Sequence, residues 1–400
     1  MRSKKSTLIL GFALIFLFAS IPALAQEDLS EKRILIGWTP PDITGVFKTA
    51  TDFFERSAKA ARDHGLNVHV VSKAAPGHTA YGSQVSIVEN FISMGVDAIA
   101  ISPIEVAVIK PALNKAAEAG IPVIVVNLLE PIEGVDVESY IGFDNQVAGR
   151  VSGYAMIDYL GGPGFLGKNK TMDPPPANKF LTEKWWKNQV YGDVELSELD
   201  IEARIAEIEG IAGGFFARKR HQGFWEDVVS KVPGVELVSK LAADWNREKA
   251  TTAAQNILSA NPKGKLDAIY AQSNEMGIGA MNAAEGAKRL EKAGEYSEES
   301  GVAIFTNDGT PESLDYIREG RLIAETWHGF PEWGWFGTMM AVRAALNLDT
   351  KQIFDIQPRT EFKGNADQFY PDPKLNAELY GYDSRWGSWE AIKEEYKEKN

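Results

Sequence analysis

Residues 95–127, GVDAIAISPIEVAVIKPALNKAAEAGIPVIVVN, contain the pattern that decides the fold. Two short apolar, β-branched runs, Ala98–Ser102 and Val123–Asn127, are separated by an amphipathic segment over Glu105–Ala119. Apolar runs of this length predict strands that are buried on both faces, and the segment between them has the length of a crossover helix. The stretch therefore predicts a β-α-β unit of a parallel sheet.

The same alternation of short apolar runs and helix-length segments fills most of the chain, over residues 34–160 and again over 203–346. The segment 161–200, which contains Trp185 and Trp186, breaks the alternation and predicts an insertion with a short helix around the tryptophans. Repeated β-α-β units predict parallel sheets covered by helices on both faces, with binding sites at the carboxyl ends of the strands. We expect an α/β protein of two doubly wound lobes.

The first residues predict export. Three basic residues precede an apolar run over Thr7–Phe18, and Ala23-Leu-Ala25 fits a cleavage site. This order is that of a secretory signal peptide, here residues 1–25. An uncleaved membrane anchor is the alternative, which the shortness of the apolar run disfavours. We expect a mature protein in the periplasm.

Composition excludes several classes of function. The net charge of −13 disfavours a nucleic-acid partner, because nucleic-acid affinity depends on neutralising phosphates. The chain has no cysteine, which excludes thiol catalysis and cysteine-bound metals. Its five histidines lack the spacing of metal ligands, so we expect neither a metal nor a cofactor. The segment 162–168, GPGFLGK, resembles a phosphate loop but follows a predicted helix and precedes prolines, so we interpret it as an ordinary loop.

A glycine-rich turn followed by cations, GIAGGFFARKRHQGF over residues 210–224, predicts one edge of a cleft. It joins a predicted strand to a helix, which is where pockets form in such sheets. Helical periodicity puts Phe216, Arg220 and Phe224 on one face and Arg218 on another. Arg218 is predicted to project over the cleft from the first helical turn, and Arg220 to face solvent or the other lobe.

Residues 210–224 and 242–280, with Phe143-Asp-Asn145 and Asp308-Gly-Thr-Pro311, carry a resemblance. The chain resembles the type I periplasmic binding proteins of sugar ABC transporters, in particular the ribose-binding group, over about residues 34–350. The resemblance implies two lobes that are joined by three crossovers and close like a hinge on a sugar.

The resemblance also implies how the chain is divided between the lobes. The predicted N-terminal lobe comprises 31–143 and 330–352. The predicted C-terminal lobe comprises 144–329 and 353–400, with the insertion at about 161–200.

The resemblance also implies a set of ligand-binding residues. Arg218 matches the family's pocket arginine and Asp308 a carboxylate that accepts hydroxyl hydrogen bonds. Ser273 and Asn274 fall at a pocket amide position, and Asn127 replaces an aspartate that is followed in the family by an arginine. Aromatic side chains stack on sugars, and the expected positions are held by Trp38 and Phe47 after the first strand and by Trp327 at the hinge.

These residues predict a periplasmic receptor that captures a sugar, sugar acid or polyol and delivers it to an ABC permease. A sensory receptor that docks on a membrane histidine kinase or chemoreceptor is the alternative. A periplasmic hydrolase that uses Asp308 and Asp144 has no supporting motif, so we expect no enzyme. The partners expected are a small carbohydrate or polyol and a permease or sensor kinase, with no nucleic acid, and the protein is predicted to be a monomer.

Overall fold

The computed structural model describes residues 28–168, 170–176, 179–295, 301–369 and 382–399. The predicted signal peptide lies outside these residues. Within them, no helix combines the length and the apolarity that crossing a membrane requires.

The N-terminal lobe is built on a six-stranded parallel sheet of order β2-β1-β3-β4-β5-β11, in which β11 is the late strand Ile353–Asp355. Its elements before the first crossover are β1 (Ile34–Thr39), α1 (Gly45–Asp63), β2 (Val68–Ser72), α2 (Tyr81–Met94), β3 (Ala98–Ile101), α3 (Val106–Glu118), β4 (Val123–Val126) and β5 (Ser139–Gly142). Every residue of β3 and β4 is buried, as the opening stretch predicts for strands covered on both faces.

The C-terminal lobe is built on a second six-stranded sheet of order β7-β6-β8-β9-β10-β12, parallel except for β12, the strand Arg359–Phe362. Its elements up to the second crossover are α4 (Asn145–Leu160), α5 (Glu183–Trp185), β6 (Ala203–Glu209), α6 (Phe215–His221), β7 (Val235–Ala242), α7 (Arg247–Ala260), β8 (Ala268–Ala271), α8 (Asn274–Gly286), β9 (Ala303–Asp308), α9 (Pro311–Arg318) and β10 (Ala324–Trp327). The prediction of two doubly wound lobes is confirmed.

The last elements alternate between the lobes: α10 (Phe330–Ala345), β11 (Ile353–Asp355), β12 (Arg359–Phe362) and α11 (Trp389–Lys399). The chain crosses between the sheets after β5, after β10 and between β11 and β12. It also returns once more to the N-terminal lobe. The ring of Phe369 packs 5.6 Å from that of Trp327 in the C-terminal lobe, whereas the Tyr382 hydroxyl accepts a 2.7 Å hydrogen bond from the amide of Asp355 in the N-terminal lobe.

The predicted division of the chain between the lobes needs one correction, in the part after residue 352. Residues 353–400 were expected in the C-terminal lobe, but β11 pairs with β5 as an edge strand of the N-terminal sheet. In α11, Lys393 Nζ donates to the His64 carbonyl (2.7 Å) and Glu395 pairs with the buried Arg343 of α10. The cause is an apolar stripe on α11, Trp389, Ile392 and Tyr396, which needs a surface to cover. The other boundaries, 31–143 with 330–352 and 144–329, stay predictions.

The insertion packs on the outer edge of the C-terminal lobe. Trp186 is fully buried, its Nε1 donates to Thr360 Oγ1 of β12 (2.8 Å), and its ring stacks 5.6 Å from Phe165. Thr182 forms a bridge with Arg359 at the same edge. The described part of the insertion therefore covers an otherwise open strand edge.

Candidate functional site

A cavity lies between the lobes, at the carboxyl ends of the strands of both sheets. The N-terminal lobe lines it with Asp42, Phe47, His78, Ile104, Asn127, Phe330 and Trp333, and the C-terminal lobe with Phe216, Arg220, Trp245, Ser273, Asn274, Glu275 and Asp308. The lobes touch around it: the rings of His78 and Trp245 are 6.4 Å apart, and Phe216 joins the apolar cluster of the N-terminal lobe. The cleft is thus closed.

Helix α6 places Arg220, not Arg218, in this cavity. The buried residues of α6 are Phe216, Ala217 and Arg220, which fall on one helical face. Arg220 is 5% exposed; its Nε donates to Asn145 Oδ1 (3.0 Å) and its Nη1 lies 3.3 Å from Asp308 Oδ1. The guanidinium also donates to the Gln272 carbonyl and lies over the ring of Trp245. Its position is therefore fixed from several sides.

Two glycines bring α4 against α6 and so set the backbone that carries Arg220. A Cβ on Gly149 would stand 2.2 Å from the Arg220 carbonyl oxygen, and a Cβ on Gly223 would stand 1.9 Å from the Gln146 carbonyl oxygen. No side chain fits at either place, because the two helices touch through their backbones.

The prediction that Arg218 faces the cleft is corrected. Its side chain is exposed and donates a long hydrogen bond to the Gly213 carbonyl (3.4 Å), and it lines a shallow surface depression with Lys110 and Glu133. Arg218 lies on a different face of the helix from Arg220, which shares the face of the core residues Phe216 and Phe224. Arg220 is thus the arginine that lines the cavity, and the role of either arginine in ligand binding stays a prediction.

Asp308 ends β9 and is brought into the cavity, as predicted. Its backbone has φ +116, a strained value for a residue with a Cβ and one that concentrates at functional sites. Oδ2 accepts the amide of Asn274 at the start of α8 (3.0 Å), and Oδ1 faces Arg220. Burial raises the pKa of Asp308 to about 6, although Arg220 and the Asn274 amide act in the opposite direction.

The predicted amide and hydroxyl positions also meet at the cavity. Asn274 donates through Nδ2 to Thr310 Oγ1 (2.9 Å), which leaves its buried Oδ1 without a partner among the described residues. Asn127 (φ +67) donates weakly to Ser102 Oγ (3.4 Å), and its Oδ1 is likewise buried and unpaired within the described part of the chain. Ser273 Oγ caps α8 by accepting the Met276 amide (3.4 Å). Asn127 and Asn274 thus line the cavity, and each has a buried side-chain oxygen without a partner among the described residues.

The N-terminal lobe supplies most of the aromatic wall. The rings of Phe47 and Trp333 are 6.4 Å apart, and Phe330 packs edge-on against Trp333 at 4.2 Å. Beside them, Asp42 Oδ2 lies 3.2 Å from His78 Nε2. Burial would raise the pKa of Asp42, but hydrogen bonds from His78 and the Thr44 amide outweigh it and hold that pKa below its usual value. Phe47 is thus brought to the cavity as predicted.

Two predicted aromatic contacts are corrected. Trp38 is fully buried within the N-terminal lobe, stacked 4.3 Å from Phe54, and donates through Nε1 to Thr51 Oγ1 (2.8 Å). Trp327 is fully buried behind β9, with Arg359 over its ring at 4.2 Å. Trp38 packs against α1 and Trp327 packs against Arg359 and Phe369, and neither tryptophan lines the cavity.

Sequence reasoning missed Asp42, His78, Arg220, Trp245, Phe330 and Trp333, which line the cavity. A usable signal existed only for Arg220, through its helical face. Trp333 lies one helical turn after Phe330 on α10, a spacing that core and pocket residues share. Asp42, His78 and Trp245 lie in loops between helices and strands, where periodicity carries no information.

The charges of the cavity are paired within the protein. Arg220 faces Asp308, and Arg247 grips Glu275 through two hydrogen bonds of 2.8 and 2.9 Å. Among the described residues, no group of three or more histidine or acidic side chains could hold a metal ion. Paired charges, free acceptor oxygens and aromatic faces equip a site to hold a small molecule by hydrogen bonds and stacking.

The family model described as "Periplasmic binding protein domain" matches residues 36–348. The ribose import binding protein RbsB of Bacillus subtilis is 25% identical over 266 residues, 66% of this chain and 67% of that protein. A xylitol-binding protein of Mycolicibacterium smegmatis is 26% identical over 289 residues, 72% of this chain and 65% of that protein. The match thus spans about two thirds of each relative.

The fold has solved counterparts. A periplasmic solute-binding protein of an ABC transporter from Actinobacillus succinogenes, solved with D-allose, superposes with a TM-score of 0.65 at 21% identity, over 84% of this chain and 99% of that one. The two lobes, the cavity between them and the match over most of the chain agree: this chain belongs to the periplasmic binding protein family.

Proposed function

We propose that this protein is a periplasmic receptor that captures an uncharged sugar or polyol and delivers it to an ABC permease. The observation that carries the proposal is the closed interlobe cavity, in which the buried Arg220–Asp308 pair faces an aromatic wall that contains Phe47 and Trp333. Hydroxyl groups meet the polar side and the apolar face of a sugar ring stacks on the aromatic side. The relatives named for ribose and xylitol support the same ligand class.

An uncharged ligand fits better than a sugar acid. The free acceptor oxygens of Asn127 and Asn274 require donors, which hydroxyl groups supply and a carboxylate does not. Both Arg220 and Arg247 already face carboxylates of the protein. A bound carboxylate would therefore be buried without a free cation, which is costly.

Binding requires no bond to be made or broken. A ligand that contacts both lobes stabilises the closed form, and its binding shifts the population from open to closed. We accordingly propose that the protein is not an enzyme and that bound sugar is recovered unchanged.

A thermal-shift screen of residues 26–400 tests the proposal with D-ribose, D-allose, xylitol, myo-inositol and the matching sugar acids. A compound at about a hundredfold excess over its Kd should stabilise the folded state by about 2.7 kcal/mol. We expect a neutral compound to give this shift, to lose it in Arg220→Lys and to keep it in Arg218→Ala, the matched control on the same helix. A shift given by sugar acids alone, or one that survives Arg220→Lys, would contradict the proposed ligand and site.

Uptake separates delivery from sensing. Cells that lack this protein should lose import of the radiolabelled compound and regain it with the wild type but not with Arg220→Lys. Unchanged import, together with a lost transcriptional response to the compound, would instead favour the sensory receptor.

A further inference from the structure

His328 is a fully buried histidine beside the cavity, at the second crossover between the lobes. Its ring stacks 3.9 Å from that of Phe143, which lies at the first crossover, and 5.9 Å from that of Phe330. Its two ring nitrogens face different partners: Nε2 lies 3.2 Å from Asn307 Oδ1, and Nδ1 lies 3.4 Å from Asp308 Oδ1. The histidine thus joins a carboxylate of the cavity to the crossovers.

The neighbours of Asn307 determine which nitrogen of His328 carries the hydrogen. Asn307 donates through Nδ2 to the Tyr270 hydroxyl, and its Oδ1 accepts from Ser152 Oγ (3.1 Å). An oxygen atom therefore faces Nε2, and Nε2 must be the N–H that donates to it. Nδ1 is left with a lone pair.

A carboxylate oxygen, Asp308 Oδ1, lies 3.4 Å from Nδ1. Two acceptors 3.4 Å apart repel each other unless a hydrogen lies between them, and Nδ1 has no other partner among the described residues. A protonated Asp308 would donate to Nδ1 and remove the repulsion. An ionised Asp308 would leave the two acceptors facing each other.

We propose that Asp308 and His328 form a proton-sharing pair: in the empty cavity at mildly acidic pH, Asp308 donates its proton to His328 Nδ1, and it loses this proton when a hydroxylated ligand binds. Hydroxyl groups of the ligand donate to the carboxylate, and this favours its ionised form. The ligand part of the inference rests on the proposed function, whereas the shared proton in the empty protein does not.

The surrounding charges agree with this placement of the proton. Burial, the largest cause, and Arg220 hold the pKa of His328 well below its usual value, so the imidazole stays neutral. Burial and the nearby Glu275 raise the pKa of Asp308 to about 6, against the effect of Arg220 and the Asn274 amide. The proton therefore belongs to the carboxyl, and it is exchanged with solvent at about pH 6.

Nitrogen NMR of ¹⁵N-histidine-labelled mature protein, titrated without sugar between about pH 5 and about pH 8, tests the shared proton. We expect His328, assigned by its loss in His328→Gln, to be the neutral Nε2–H tautomer throughout. Its Nδ1 resonance should move as Asp308 ionises and stay still in Asp308→Asn. The opposite tautomer, or a movement that persists in Asp308→Asn, would overturn the proposal.

Calorimetry tests the release of the Asp308 proton on binding. D-ribose, D-allose and xylitol are titrated at about pH 6 in two buffers of different ionisation enthalpy. We expect about half a proton released per molecule bound at that pH, and almost none near pH 7.5. Binding without release at about pH 6 would refute the linkage and leave the receptor function intact. If none of the three compounds binds while the NMR titration shows the shared proton, the proposed ligand class fails and the pair stands.

Discussion

The two walls of the cavity differ in chemistry and in how they are held. In the C-terminal lobe, Arg220 and Asp308 contact each other, Asn145, the Gln272 carbonyl and the Asn274 amide, all within the same lobe. The wall of the N-terminal lobe is mainly aromatic, and its rings pack around Phe47 and Trp333. The polar wall is therefore assembled before the lobes close, and we expect it to orient the ligand, whereas the aromatic wall covers the ligand on closure.

The largest expected effect comes from breaking the polar wall. Arg220→Ala leaves Asp308 buried without its cation, so the free energy of unfolding should fall by about 3 kcal/mol. Arg218→Ala, two residues away and exposed, should change it by less than about 0.5 kcal/mol. Urea denaturation of the three proteins at neutral pH measures both values. Equal effects would show that Arg220 is not held as described.

The polar wall should also show in the pH dependence of stability. Because burial raises the pKa of Asp308 from 3.8 to about 6, the folded protein holds a proton that the unfolded chain has lost between these values. The contribution of Asp308 to the free energy of unfolding should therefore fall as pH rises through that window, by roughly 3 kcal/mol, and become constant above it.

Asp308→Asn should remove this decline. Burial also raises the pKa of Glu325 and Glu361, and the charge of Asp308 raises that of Glu325 further, so the difference between wild type and variant measures Asp308 together with its effect on Glu325. Urea denaturation of both proteins at several pH values measures this difference in the free energy of unfolding. A difference that does not change with pH would contradict the raised pKa.

The aromatic wall should affect affinity more than stability. Phe47→Leu removes a ring face from the cavity, and the Kd of the best compound from the screen should weaken about tenfold, or 1.4 kcal/mol. Phe53→Leu on the same helix is the matched control, because Phe53 is buried but does not line the cavity. Isothermal titration of both variants measures the contrast. Equal losses of affinity would mean that Phe47 acts through the fold alone.

The smallest expected effect is that of Trp38→Phe, which tests whether Trp38 belongs to the core or to the cavity. Trp38→Phe removes the 2.8 Å hydrogen bond to Thr51 and should cost about 1 kcal/mol of stability. The Kd should be unchanged within twofold, since Trp38 stacks on Phe54 inside the lobe. Thermal denaturation and isothermal titration together test this. A clear loss of affinity would return Trp38 to the binding site.

The sequence predicted the fold better than the site, for a physical reason. A strand such as Val123–Val126 is recognised from its own side chains, because burial on both faces makes all of them apolar. The family motif located Asp308 and Asn274 at strand and helix ends, and the structure brings both to the cavity. Trp38 and Phe47 looked equivalent in the sequence, yet Trp38 packs inside the N-terminal lobe and Phe47 lines the cavity.

Loop residues and remote partners escaped prediction. His78 reaches the cavity from the connection between β2 and α2, and its neighbour Trp245 comes from the connection between β7 and α7. Their proximity depends on how two lobes meet, which no local pattern contains. The same holds for α11: its apolar stripe has helical spacing in the sequence, but the surface beside Arg343 that the helix covers does not follow from that spacing.

The return of the chain to the N-terminal lobe affects the order in which the protein can fold during synthesis. That lobe starts at the first strand, but its outer strand β11 and its covering helix α11 come from residues 353–355 and 389–399. Amino-terminal domains usually fold as soon as they leave the ribosome, which requires a contiguous segment of chain. Here the first lobe to be started is the last to be finished, so a polypeptide moving N-terminus first cannot complete its structure until almost its whole length has emerged.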